Sequence, residues 1–353
     1  MAARLDSVDA LRGLTVAAML LVNDAGDWSH VFAPLEHAAW HGCTPTDLVF
    51  PFFLFIVGVS ITLALGPRID AGSDPAALRR GVLLRALRIV ALGLLLHAAA
   101  HWLMATREFR PMGVLQRIGL CFGIAGLIAI DTRPRTQWLV FGALLLGYWA
   151  LLVAGGTLDR EGNVADRIDT ALLGRFAYEF DPATGRAHEP EGLLSTLGAI
   201  ATTLLGVRAG DWLRRSQASR LWQAGVVALV AGALWSLLLP LNKQLWTSSY
   251  VLVSGGFALL ALWAAHELID RRRWPALGRS FGVNAIAAYA GAWLMVCVLV
   301  ALHLMEPLYR IGFGWIMPLA GPYVASLAYA MAFVAVWWMP MRLLDRRHIH
   351  IRI

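Results

Sequence analysis

The sequence predicts an all-α integral membrane protein with about ten transmembrane helices and both termini in the cytoplasm. Three observations carry this. Of the 353 residues, 58% are hydrophobic and only 15% charged, against about 25% charged in a soluble domain. Apolar runs long enough to cross a bilayer recur along the whole chain. Basic residues gather in the connections of one side. The runs are continuous and rich in Leu, Ala and Val, and a bilayer admits only helices or closed barrels, so the pattern favours helices.

The spans fall approximately at 8–24, 46–66, 82–102, 112–131, 137–154, 191–208, 221–240, 247–268, 281–302 and 317–339. The first contains Arg12 and has no convincing cleavage site behind it, so it reads as an uncleaved span. With the N-terminus inside, 18 arginines, from Arg4 to Arg352, lie in inner segments and 8 basic residues lie outside. That alternation supports an even number of spans. The net charge of +7 is almost all arginine, with Lys243 the single lysine. Its placement in short loops reads as a topology signal and predicts no nucleic-acid partner. Cys43, Cys121 and Cys297 form no metal or disulfide pattern and read as small apolar residues. No internal repeat of the kind common in transporters is visible. The whole of 1–353 reads as one polytopic domain with two longer outer loops, 24–45 and 155–190, the second mixing aromatic and charged residues so as to form an ordered cap.

The first outer loop and the next span read EHAAWHGCTPTDLVFPFFLFIVG. His37, Trp40 and His41 are spaced to share one face of a short helical turn that Gly42 would end. A neutral imidazole can take a proton from an amine or hydroxyl, or accept an acyl group. The alternative is a pair of interfacial loop histidines beside an aromatic belt. Zinc is not expected, because the pair lacks the intervening Glu of HExxH and a third ligand. Thr44 as cap, Pro45 at the first position and Asp47 at the third form a helix-start signature. Asp47 can also orient His37 as in a catalytic triad. Asp6 and Asp9 read as caps of the first span.

Arg12, Arg85, Arg88 and Arg117 lie in or at the edges of spans, where a charge must be paired or face water. Their fork of donors suits phosphate; snorkelling or buried ion pairing is the structural alternative. Gln116 accompanies Arg117. Asn23, Asn242 with Lys243, and Asn284 can bind a ligand or join helices. Pro51, Pro318 and Pro322 should bend their spans.

Six blocks, LDSVDALRGLTVAAMLLVN, HAAWHGCTPTDLVFPFFLFIVG, RPMGVLQRIG, EPEGLLSTLGAIATTLLGVRAG, PLNKQLWTSSYVL and FGVNAIAAYAG, run in order from Leu5 to Gly291. Taken in that order they resemble the heparan-α-glucosaminide N-acetyltransferase family and its bacterial relatives. The resemblance implies transfer of the acetyl group of acetyl-CoA, arriving from the cytoplasm, to the amino group of a glucosamine or a glucosamine-containing glycan across the membrane. It implies His37 as the catalytic histidine and Asp47 as its aspartate. It also implies Asn23 on the acceptor side and Gln116 with Arg117 on the cofactor side; residue type and position add Trp40, His41, Asn242 and Lys243 to the first, and Arg12 and Asn284 to the second. A homodimer in a bacterial inner membrane is expected, without the luminal domain and extra leading helix of the lysosomal enzyme. The sequence departs from the family at His41, commonly Asn, and at Ala292, where the lysosomal member has a His nearby. A secondary transporter of amino sugars, an O-acetyltransferase of a cell-surface polysaccharide and a non-catalytic scaffold are the alternatives. A His37→Ala protein that keeps its activity points to the transporter or the scaffold; the O-acetyltransferase shares base and donor with the first reading and differs only in its hydroxyl acceptor.

Overall fold

The computed structural model describes residues 5–104, 107–160 and 162–351; Arg4 and Arg352, counted above toward the inner charge, lie outside them. Helices occupy all ten expected positions. They are α1 (Asp6–Asn23), α2 (Val49–Asp70), α3 (Pro75–Leu103), α4 (Val114–Asp131) and α5 (Pro134–Ala154), then α7 (Thr196–Arg214), α8 (Ser219–Ser236), α9 (Ser248–Ala265), α11 (Ala285–Ala301) and α14 (Pro322–Arg346). Between them lie the short α6 (Val164–Leu172), α10 (Arg279–Val283), α12 (Met305–Phe313) and α13 (Met317–Ala320). One small antiparallel hairpin, β1 (Glu179–Asp181) with β2 (Arg186–His188), completes the described elements.

Six of these helices are long and apolar enough to cross a membrane, or seven if the pair α11 and Met305–Ala320, bent by 96°, counts as one. The count expected from sequence was ten. The difference lies chiefly in α1, α7 and α8. Nearly every residue of α7 is buried, polar Thr202, Thr203, Arg208 and Asp211 among them. A helix wrapped by other helices need not be apolar all round, because its polar groups meet protein rather than lipid. By contrast α3 and α5 expose Leu83, Leu87, Leu95, Leu139 and Leu146, an apolar girdle that suits lipid and not water.

Glycine sets the closest helix contacts. A Cβ on Gly58 of α2 would lie 1.9 Å from the Thr203 carbonyl oxygen, and one on Gly206 of α7 would lie 2.0 Å from that of Phe55. Only residues without a side chain let two backbones approach this far. Pro318 and Pro322 start helices, with Gly321 between them at a φ of +88°, instead of bending one continuous span. The described ends of the chain share one end of the bundle. There Asp6 pairs with Arg279, and Asn284 holds the backbone of Ile349 and Ile351. The connections 24–48, 107–113, 155–195 and 237–247 meet at the other end, joined by the contacts described next.

Candidate active site

The helix start at residue 44 builds the site. Thr44 Oγ1 accepts from the Asp47 N–H at 3.4 Å, and the Thr44 N–H donates to Asp47 Oδ2 at 2.9 Å, a reciprocal cap. The same Oδ2 accepts from the Ala38 N–H at 3.1 Å and the Thr44 hydroxyl at 3.2 Å. Asp47 Oδ1 is left for His37, whose Nδ1 lies 2.7 Å away. The carboxylate is 1% exposed and the imidazole 44%. An ionised Asp47 therefore takes the Nδ1 hydrogen and leaves the Nε2 lone pair of His37 available.

The expected helical turn over His37–His41 is absent. The turn lies earlier, at Ala33–Leu35, because the Ala38 N–H goes to Asp47 rather than to a carbonyl one turn back. His37 and His41 consequently face different partners. His41 Nδ1 lies 3.4 Å from the Asn242 amide nitrogen. Gly42, at a φ of +126°, hooks its N–H to the Leu241 carbonyl at 2.8 Å.

His37 and Asp47 line a chamber of about 490 Å³, with Asn23, Asp24, Trp40, Arg107, Arg110, Glu191, Lys243, Gln244, Tyr289 and Trp293 among its walls. This is an ordinary size for a small-molecule site. Five of the sequence-predicted residues, Asn23, His37, Trp40, Asp47 and Lys243, thus meet. The Lys243 ammonium makes no hydrogen bond or ion pair among the described residues. Burial lowers its pKa, while the charges of Glu191 and Asp47 work the other way.

The others lie outside the chamber walls. Asn242 is fully buried and accepts from the Leu245 N–H at 2.8 Å, shaping the turn that presents Lys243. Arg117 is also fully buried. It donates to Ser195 Oγ at 2.5 Å and to the Gly192 carbonyl at 3.0 Å, and Trp246 lies under it at 5.2 Å. Its Nε and Nη1, and Oε1 of Gln116, are buried without a partner among the described residues. Arg12 and Asn284 sit at the opposite end. There Arg12 donates to Asp9, Ser60 and the Gly282 carbonyl.

Sequence reasoning missed two networks. Arg110 bridges Glu189 and Glu191, with its Nε 2.8 Å from Glu189, and its guanidinium covers the Tyr178 ring at 4.6 Å. Burial opposes the Arg110 charge, but the two carboxylates more than restore it and raise its pKa. The residues sit in the quoted RPMG and EPEG blocks; two acids flanking a proline before an apolar helix were the available signal. The second network is His188, with Nδ1 2.7 Å from Asp166 and Nε2 2.5 Å from Gln244. Burial lowers the His188 pKa, and Asp166, Gln244 and Glu179 together raise it by more than that. The His188 ring packs 5.5 Å from Trp40, whose Nε1–H donates to the Leu158 carbonyl at 2.8 Å. Leu158, Asp166 and His188 are thereby fastened to Trp40 and Gln244 of the chamber wall. Among the described residues no group of three or more His, Cys, Asp or Glu is placed to hold a metal ion.

With this geometry in view, residues 4–173 match the family described as "Heparan-alpha-glucosaminide N-acetyltransferase, catalytic". The chain is similar in sequence to the heparan-alpha-glucosaminide N-acetyltransferases. It is 29% identical to the human enzyme of that name and 27% to the mouse one, with 82% of this chain aligned in each case. The alignments take in 52% and 53% of those proteins, so the chain spans about half the length of the curated relatives it matches. The matched region holds α1 to α6, and with them His37, Asp47 and both sides of the reciprocal cap.

Proposed function

We propose that the protein is a transmembrane N-acetyltransferase that moves the acetyl group of acetyl-CoA to the amino group of glucosamine or a glucosamine-containing glycan. The observation that carries the reading is the His37–Asp47 pair, with the aspartate buried and fully bonded and the imidazole open to the chamber. In this reading the donor's thioester reaches the chamber and His37 Nε2 takes a proton from the attacking amine. Lys243 and Asn23 contact the acceptor, and Trp40 walls it. The unspent donors of Arg117, next to Gln116, suit the donor's polar groups only in a conformation that uncovers them. Arg12 and Asn284 serve the donor only in a conformation in which their present bonds are broken.

The same reading includes an even number of crossings, both termini in the cytoplasm, a bacterial inner membrane and a homodimer. Direct attack in a ternary complex is preferred over an acetylated His37; stable label on His37 from radiolabelled acetyl-CoA without acceptor reverses that preference. The main test is a purified-protein assay with acetyl-CoA and a panel of amino sugars and their hydroxyl counterparts. We expect transfer to the amine and a loss of about 10²–10⁴-fold in His37→Ala, the contribution of a general base. A wild type inert across the panel, or a His37→Ala protein of full activity, overturns the reading. Transfer to hydroxyls alone would make it an O-acetyltransferase.

A further inference from the structure

Four acids line the chamber: Asp24, Asp47, Glu179 and Glu191. Three are committed, Asp47 to His37, Glu179 to Arg160 and Glu191 to Arg110. Asp24 has no hydrogen bond or ion pair among the described residues, although it is only 8% exposed. It is the first residue beyond α1 and follows Asn23, so the rigid end of that helix fixes its position. The titratable groups that sense its charge are the phenols of Tyr289 on α11 and Tyr329 on α14. No cation among the described residues is close enough to offset its burial, which lifts the carboxyl to about 7. A buried carboxylate without a partner is costly unless something positive arrives to pair with it.

An amino sugar in neutral water is largely an ammonium ion, and that form has no lone pair with which to attack a thioester. Two protons must leave its nitrogen for one amide bond to form, and one imidazole accounts for one of them.

We propose that Asp24 binds the ammonium group of the amino-sugar acceptor and takes its first proton, His37 taking the second. This rests on the acetyl-transfer reading above. The Asp24 carboxylate and the ammonium become a carboxylic acid and a neutral amine. The amine lone pair forms the C–N bond to the thioester carbonyl, and the C–S bond breaks with its electrons going to sulfur. The remaining proton passes through His37 Nε2 to the thiolate, giving the thiol. Asp24 then returns its proton to solvent, so one proton is released for each amide formed.

The test uses the full chain in detergent. Calorimetry compares glucosamine with glucose, which lacks the amine. The wild type should prefer glucosamine by about ten-fold or more, and Asp24→Asn should lose that preference. In the wild type itself glucosamine affinity should weaken between about pH 8 and pH 5.5, as Asp24 protonates, while glucose affinity stays level. That measurement needs no variant to fold. In turnover, Asp24→Asn should lose about ten-fold or more in kcat/KM near neutrality and recover as the amine deprotonates by itself at higher pH; Asp24→Glu should keep part of the activity. An unchanged preference and pH profile in Asp24→Asn, or a wild type indifferent to the amine, overturns the proposal. A wild type that prefers glucosamine through Asp24 but never acetylates it overturns the transferase reading and supports the ammonium site.

Discussion

Asp47 serves two purposes with two oxygens. One closes the start of α2 through Thr44 and Ala38, and the other fixes the ring of His37. The two roles separate by substitution. Asp47→Asn keeps an acceptor for the cap but loses the charge that stabilises a protonated imidazole, so transfer should fall by about 10²–10⁴-fold with little change in melting temperature. Asp47→Ala should in addition lower stability by about 1 kcal/mol, the usual cost of a lost cap, readable by scanning fluorimetry. An Asn variant as active as wild type would leave Asp47 a purely structural residue. The Thr44–Pro45–Asp47 spacing showed the cap in advance, because capping is local. The Arg110 network escaped the sequence because Glu189 and Glu191 lie some 80 residues further on. Asp24 escaped because it sits where an apolar run ends, indistinguishable by pattern from an ordinary loop acid.

Among the elements, α2 and α7 run side by side in the same direction, Phe55 against Gly206 and Gly66 against Arg214. At Gly58 and Gly206 the contact is backbone on backbone, so it has no flexible side chain to yield. Gly206→Val should therefore destabilise the protein by about 3 kcal/mol or more, at or beyond the upper end of ordinary overpacking. Gly142→Ala, where a Cβ meets nothing within 4 Å, should cost nothing. Equal melting temperatures for the two variants would refute the argument. Helix positions were readable from apolar runs alone. The turn misplaced at His37–His41 was not, since an N–H captured by a carboxylate from the next helix leaves no trace in local spacing. The length and apolarity of α7 undercount it as a span for a related reason: burial among helices relaxes the demand for an apolar exterior.

At the scale of the molecule, the chamber lies at one end of the bundle and both described chain ends lie at the other. If the chamber faces away from the cytoplasm, a cysteine at exposed Ala183, in a background without Cys43, Cys121 and Cys297, should react with an impermeant maleimide on intact cells. One at Ala71 should react only after permeabilisation. The reverse pattern would invert the topology. The far end also has a bearing on energy conservation. None of Arg12, Arg85, Arg88 or Asn284 lines the chamber, and Arg12 ties α1 to α2 and to the Gly282 carbonyl beside it. A shaft wet from top to bottom would let protons and salt run down their gradients; the three bonds of that guanidinium hold the inner ends of these helices together, so under the proposed reading a charged thioester carrier gains entry from beneath only where those bonds open.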